Sequence, residues 1–257
     1  MKVVKDKKLC IVGDIHGCYD EFIQLLTAAG YIIKNNRIIE SPYQLVLIGD
    51  YVDKGPQVRQ IVEFLYENRD QILIIIGNHE NFNYKYLSGL LKQSKDNDNL
   101  IANYFDSIKL FESDEELKQK FFELFVMSFH SITNEDFVLT HAPCKAEYLL
   151  KEDNKSQRHQ RTIVYPKSDI NSDDDILAIR DEFFTFLKEE TIDFIHVFGH
   201  VMLDNVHHFK NRIGIDTGCV AGGKLSAIVI TDKNNFYFLS QKSFQPVKEK
   251  LYPLVKL

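Results

Sequence analysis

Along the N-terminal half, short runs of consecutive apolar residues alternate with longer stretches in which apolar positions return every three or four residues. The runs are Leu9 to Val12, Leu45 to Ile48 and Ile72 to Ile76, each ending in a polar turn that contains glycine, which is how buried strands read. The first stretch carries Phe22, Leu25, Leu26 and Ala29 and is stopped by Gly30; the second carries Val58, Ile61, Val62 and Leu65. Both have the spacing of one helix face. A third helix is expected after Gly77-Asn78-His79-Glu80. Three successive strand-loop-helix units predict an α/β fold with a largely parallel sheet layered with helices.

From about Leu91 to His130 the chain reads as helical and charged. Ser113-Asp114-Glu115-Glu116 has the form of a capping box ahead of Leu117, Phe121, Leu124 and Phe125. This segment, about residues 91–130, is expected to be a helical cap inserted into a single domain spanning residues 1–257. The second half looks β-rich, with strand patterns at Phe137 to Thr140, Phe194 to Phe198, Val206 to Phe209, Ile213 to Ile215, Leu225 to Ile230 and Phe236 to Leu239. The polar stretch from Lys151 to Asp175 reads as a long loop, followed by a helix near Ile176 to Leu187. The aromatic pairs Phe121-Phe122 and Phe183-Phe184 are expected in the core.

In an open parallel sheet, ligands bind beyond the carboxyl ends of the strands. The side chains expected there are Asp14 and His16, Asp50, Asn78, His141 after Val138-Leu139-Thr140, and His200 after Val197-Phe198-Gly199. Carboxylate, amide and imidazole groups in this mixture suit Mn, Fe, Zn or a related divalent ion rather than thiolate-bound metal, and six of them suffice for two ions. Alternation along an extended Asp-x-His segment is expected to turn Asp14 and His16 to the same side. Taken singly, a Gly-Asp or Gly-Asn after a strand is ordinary turn chemistry; it is their ordered recurrence that points to a site.

Composition narrows the function. With 44% hydrophobic and 26% charged residues the chain can build a core, and its net charge of -6 disfavours duplex nucleic acid or an anionic membrane as partner. Cys10, Cys18, Cys144 and Cys219 form no C-x-x-C pair, so neither a thiolate zinc site nor a disulfide framework is expected. A strand pattern that begins at about Lys8 leaves no room for a removable signal peptide, and apolar runs this short do not span a bilayer. A cytoplasmic enzyme is the expectation.

Gly-Asp-Ile-His-Gly, Gly-Asp-Tyr-Val-Asp-Lys-Gly, Gly-Asn-His-Glu, Thr-His-Ala and Gly-His, in this order, resemble the calcineurin-like metallophosphoesterases. The likeness is strongest to the phosphoprotein-phosphatase branch, which includes protein Ser/Thr phosphatases, symmetrical dinucleoside tetraphosphatases and the phosphatase module of bacterial polynucleotide kinase-phosphatases. The resemblance implies a four-layer α/β/β/α sandwich. It implies that Asp14, His16 and Asp50 hold one divalent ion and that Asp50, Asn78, His141 and His200 hold the other, with Asp50 shared. Mn is the first choice of metal, with Fe, Zn, Ni or Co as alternatives. His79 would protonate the leaving oxygen or contact phosphate, Asp53 would orient and charge His79, and Lys54 and Asn78 would contact the substrate phosphate.

Those roles agree with elementary chemistry. Two ions roughly 3.5–4 Å apart share a hydroxide and neutralise a phosphoryl group during in-line attack, and a carboxylate beside an imidazole favours its protonated form. Where the branch usually has Arg, this chain has Lys54, a point charge in place of a planar fork. Asn81 after Gly-Asn-His-Glu also departs from the protein-phosphatase pattern. A further phosphate-binding arginine is expected at Arg161, with Arg158 as second choice. Gly214-Ile215-Asp216-Thr217-Gly218-Cys219 resembles the closing strands of the bacterial members, with Asp216 shaping a turn.

The expected activity is hydrolysis of a phosphomonoester, first of phosphoserine or phosphothreonine in protein. Symmetrical cleavage of a dinucleoside tetraphosphate, to nucleoside diphosphates, or removal of a terminal phosphate from RNA are the alternatives, and a metal-dependent binding module is the non-enzymatic one. His130, His159, His196 and His208 are read as packing or surface residues, and His207 is left outside the ligand set.

Overall fold

The computed structural model describes residues 1–4, 8–91, 104–149, 190–232 and 235–247. In chain order its elements are β1 (Lys2–Val3), β2 (Leu9–Val12), α1 (Tyr19–Ala28), β3 (Ile32–Lys34), β4 (Arg37–Glu40), β5 (Gln44–Leu47), α2 (Val58–Glu67), β6 (Ile72–Ile74) and α3 (Asn78–Leu87). There follow α4 (Phe105–Ser113), α5 (Glu115–Met127), β7 (Ser131–Thr133), β8 (Phe137–Thr140), β9 (Ile195–Phe198), β10 (His207–Phe209), β11 (Arg212–Gly214), β12 (Lys224–Asp232) and β13 (Asn235–Lys242).

Two sheets carry the fold. One has the order β13-β12-β2-β5-β6, with β2, β5 and β6 parallel, as the three repeated units require, and β12 running antiparallel to β2. The other has the order β1-β7-β8-β9-β11-β10 and is mixed.

The two-residue period of a strand explains why both faces of the first sheet are apolar. Leu9 and Ile11 of β2, with Val46 of β5, pack between the sheets against Ile132, Phe137, Leu139, Val197 and Ile213. Cys10 and Val12, with Leu45 and Leu47, face the opposite way and meet Phe22, Leu25 and Leu26 of α1 and Ile61, Val62 and Leu65 of α2. A mixed α/β sandwich results, of the kind the resemblance implies.

Several expectations change in detail. The hairpin β3-β4 was not legible as a strand pair; its two-residue connection, Asn35-Asn36, has φ of 50° and 64°, the left-handed geometry that asparagine tolerates best after glycine. The cap of α5 is Asp114, whose side chain accepts the N–H of Leu117 at 3.0 Å; with Leu117 at the third helical position there is no reciprocal carboxylate, so the expected box starting at Ser113 is a single side-chain cap. Phe111 of α4 and Leu117, Phe121 and Leu124 of α5 join the same core as α1 and α2. The expected loop from Lys151 to Asp175, the helix near Ile176 to Leu187, and Arg158, His159 and Arg161 lie outside the described residues. Among the described residues, no helix is long and apolar enough to cross a membrane.

Candidate metal centre

The strand ends deliver their side chains through turns of unusual backbone geometry. His16, Asp50, Asp53, Lys54 and His200 all have positive φ, between 45° and 70°. That region costs a residue with a Cβ of order 1–3 kcal/mol and persists where the surroundings over-determine it, as they do around functional sites. The expected alternation along an extended Asp14-Ile15-His16 segment is therefore not how these residues are aimed. β2 ends at Val12, and His16 sits in a left-handed turn that its backbone N–H fixes by donating to Asp50 O at 2.9 Å. Asn78, His79 and Glu80, in turn, are the first turn of α3 rather than a loop before it.

Of the three groups of potential ligands that converge among the described residues, two share Asp50, each with one ligand atom per residue and all such atoms within 4.8 Å of one another: His16, Asp50 and His79, and Asp50, His141 and His200. Asp50 belongs to both. Its Oδ2 lies 3.6 Å from His16 Nε2 and 3.9 Å from His79 Nε2, while Oδ1 lies 3.4 Å from His141 Nε2. Asn78 joins the second group, with Oδ1 at 3.0 Å from His141 Nε2 and 2.8 Å from His200 Nδ1. Asp14 is in neither triplet; its carboxylate accepts the His200 N–H at 3.1 and 3.2 Å, and His79 stands beside His16 where Asp14 was expected.

The histidine tautomers fit a cation. His16 Nδ1 donates to Val52 O and His141 Nδ1 donates to Ile48 O, both at 2.9 Å, so each ring turns its Nε2 inward. Ligating histidines are commonly held in this way by the opposite ring nitrogen. The Lys54 ammonium donates to His16 Nε2 at 3.0 Å, and burial followed by that ammonium holds the His16 ring down at about 3. Burial opposes charge on His141, but Asp50, Asp14 and Glu80 outweigh it and push the ring up to about 10. Burial likewise opposes ionisation of Asp50, yet His141, His79 and His16 hold its carboxyl well below the usual range. Asp14, buried and near Asp216 and Asp50, is pushed well above it. The chain thus concentrates buried carboxylates and imidazoles that call for two positive centres, one on each side of Asp50.

A third layer of residues holds this arrangement. Glu80 is fully buried and accepts four backbone N–H groups, from Asp50 and Gly77 at Oε2 and from Tyr51 and Val52 at Oε1, over 2.8–3.2 Å. It is the structural link between the second and third motifs, and sequence reasoning passed over it although the motif contains it; its signal was the spacing of three from Gly77, the N-cap. His79 Nδ1 lies 2.7 Å from Asp53 Oδ2, which also accepts from Asn83 Nδ2 at 2.7 Å. Two residues at the start of α4 complete the wall: Ser107 Oγ accepts the Asp53 N–H at 3.1 Å, and the Tyr104 ring lies 4.7 Å from the His79 ring. Burial, then Lys54, keeps the His79 ring well below its ordinary value, and burial keeps Asp53 well above.

Among the described residues, His196 and His207 stay out of the centre. His196 is buried between Thr140 and Arg212, and His207 pairs with Asp204 at 2.8 Å. Asp216 closes a turn by accepting the Gly218 N–H at 3.0 Å.

Comparison with known proteins gives the family and the fold. The profile of the calcineurin-like phosphoesterases matches residues 7–204. A bis(5'-nucleosyl)-tetraphosphatase PrpE [asymmetrical] of Oceanobacillus iheyensis is 31% identical over 93% of this chain and 94% of its own length. Among solved structures, a candidate diadenosine tetraphosphatase superposes with a TM-score of 0.64 at 19% identity, covering 95% of this chain and 98% of the other. A cold-active protein-tyrosine phosphatase of Shewanella gives 0.55 at 17% identity, covering 93% and 81%. At such identities the structures speak for the fold alone, and that fold serves differently described phosphatases.

Proposed function

This chain belongs to the calcineurin-like phosphoesterases, in their phosphoprotein-phosphatase branch, and is a phosphoester hydrolase; on that premise we propose that it cleaves dinucleoside tetraphosphates asymmetrically, to a nucleoside triphosphate and a nucleoside monophosphate. The observation that carries the metal-dependent chemistry is the Asp50 carboxylate set between two groups of inward-facing ligands. The substrate class is supported by the name of the relative that matches nearly the whole chain. That name favours the tetraphosphatase alternative over the protein Ser/Thr phosphatase reading, and asymmetric over symmetric cleavage.

In this proposal Asp14, His16 and Asp50 hold one divalent ion and Asp50, Asn78, His141 and His200 the other. The bound ions would supply Lewis acidity, an activated water and neutralisation of phosphoryl charge. Lys54, at the rim beside His16, binds a bridging phosphate oxygen as a point charge, and the Asn78 side chain contacts the same phosphate. His79, held at Nδ1 by Asp53, presents Nε2 to the site and protonates the leaving phosphate oxygen. Burial first, and the Lys54 ammonium second, keep the ring neutral; an anionic phosphate seated on Lys54 offsets the second of these, so substrate binding favours the acid form. Tyr104 and Ser107 fix the orientation of the His79-Asp53 pair from the insertion side.

Product analysis tests the reading. With a dinucleoside tetraphosphate and manganese, chromatography is expected to resolve unlike products, one triphosphate and one monophosphate per turnover. Two diphosphates would overturn the asymmetric assignment, and turnover of phosphopeptide alone, with release of inorganic phosphate, would return the activity to protein.

A further inference from the structure

On the far side of the first motif from the Asp50 centre lies a second convergence of ligand-type side chains. Cys18 precedes α1, Glu21 is in its first turn, and Cys219 follows Gly218 in a short 3₁₀ turn. Their two sulfurs and a carboxylate oxygen all lie within 4.8 Å of one another, and all three residues are buried.

Glu21 is the unusual member. A fully buried carboxylate is costly unless paired. Its Oε1 accepts the Phe244 N–H at 2.8 Å and the Gln245 side-chain amide at 3.1 Å, whereas Oε2 has no hydrogen-bond partner. An unpartnered carboxylate oxygen beside two thiols, with no basic side chain among the hydrogen-bond partners of Glu21, has the chemistry of a cation ligand. Ser243 Oγ, 3.5 Å from Glu21 Oε1, adds one more oxygen at the edge of the cluster.

We propose that Cys18, Cys219 and Glu21 form a structural site for one thiolate-binding divalent cation of the zinc class, separate from the Asp50 centre. Tetrahedral zinc takes sulfur at about 2.3 Å and carboxylate oxygen at roughly 2.0–2.2 Å, which sets ligands roughly 3.5–3.8 Å apart, within the observed spread. Occupation releases the thiol protons to solvent and satisfies Glu21 Oε2. It also joins the start of α1, two residues beyond His16, to the 219 turn and to the 243–245 segment that Glu21 already holds. The absence of a C-x-x-C pair does not argue against this, because the fold, not local spacing, brings the cysteines together.

Cobalt substitution of the full chain separates this site from the Asp50 centre, whose nitrogen and oxygen ligands give no thiolate signal. Titration of metal-free, reduced protein with Co2+ is expected to produce a near-ultraviolet thiolate-to-cobalt charge-transfer band that is complete when the chain holds three cobalt ions, one at this site and two at the Asp50 centre. Cys219→Ser and Glu21→Gln should lose or weaken that band and lower total metal content by one per chain. Cys144→Ser, a buried cysteine outside the cluster, should keep it. Wild type without the band, or a band retained in Cys219→Ser, overturns the proposal, as does a Cys18–Cys219 disulfide in the purified protein with two metals per chain rather than three. The wild-type titration decides the matter even if a variant fails to fold.

Discussion

Glu80 Oε2 accepts the backbone N–H of Asp50 at 2.8 Å, so the last residue of one motif fixes the left-handed turn that aims the shared carboxylate of another. Burial, followed by the Asp50 charge, pushes Glu80 up to about 7, against the pull of the amides that it accepts. Glu80→Gln replaces an acceptor oxygen by an NH2 group and leaves two of those amides facing a donor. Loss of about 2–4 kcal/mol in chemical denaturation is expected, together with a fall of roughly 10–100-fold in metal affinity measured by titration. Unchanged metal affinity would mean that the 49–52 turn holds its shape without Glu80.

Gly77 matters for a steric reason rather than a conformational one. Its φ of -88° suits any residue, but a Cβ there would lie 2.1 Å from Asp50 Oδ1 and 2.4 Å from Asp50 N. Gly77→Ala is expected to destabilise the fold by about 1–3 kcal/mol and to empty the site shared by Asn78, His141 and His200. Elemental analysis of the purified variant reads this directly, and full metal content would show that the turn can yield.

His79 is assigned to proton delivery and not to metal binding. His79→Ala should retain both ions of the Asp50 centre and react more slowly by on the order of 10²–10⁴-fold in kcat. Because His79 Nε2 also lies 3.9 Å from Asp50 Oδ2 in the first ligand triplet, the competing outcome is sharp. Loss of a metal from His79→Ala would make it a ligand in place of Asp14.

Much of this was legible in the sequence, and the failures have physical causes. β2 and β8 end where the apolar runs end, and the three parallel units follow from one repeated rhythm. That Asp50, Asn78, His141 and His200 each follow a strand or open a helix was readable; that they do so at the ends of two facing sheets, Asp50 and Asn78 on one and His141 and His200 on the other, rather than at one sheet edge, was not. The aim of Asp14 and His16 was not, because strand alternation stops at Val12 and a left-handed residue takes over. Nor was the grip of Glu80 on four amides, since a buried carboxylate in a helix first turn looks like any cap until the partners are seen. Cys18 and Cys219 lie 201 positions apart in sequence (219 − 18), and only the antiparallel return of β12 beside β2 sets their loops together.

The shared carboxylate is the centre of the account, and Asp50→Asn tests it with almost no change of shape. Metal content and turnover should be measured together on wild type and variant, reconstituted with manganese and dialysed. Wild type is expected to hold two manganese ions at the Asp50 centre and to hydrolyse its substrate, and Asp50→Asn to lose at least one ion and essentially all turnover. An Asp50→Asn protein that keeps both ions and full activity would contradict it.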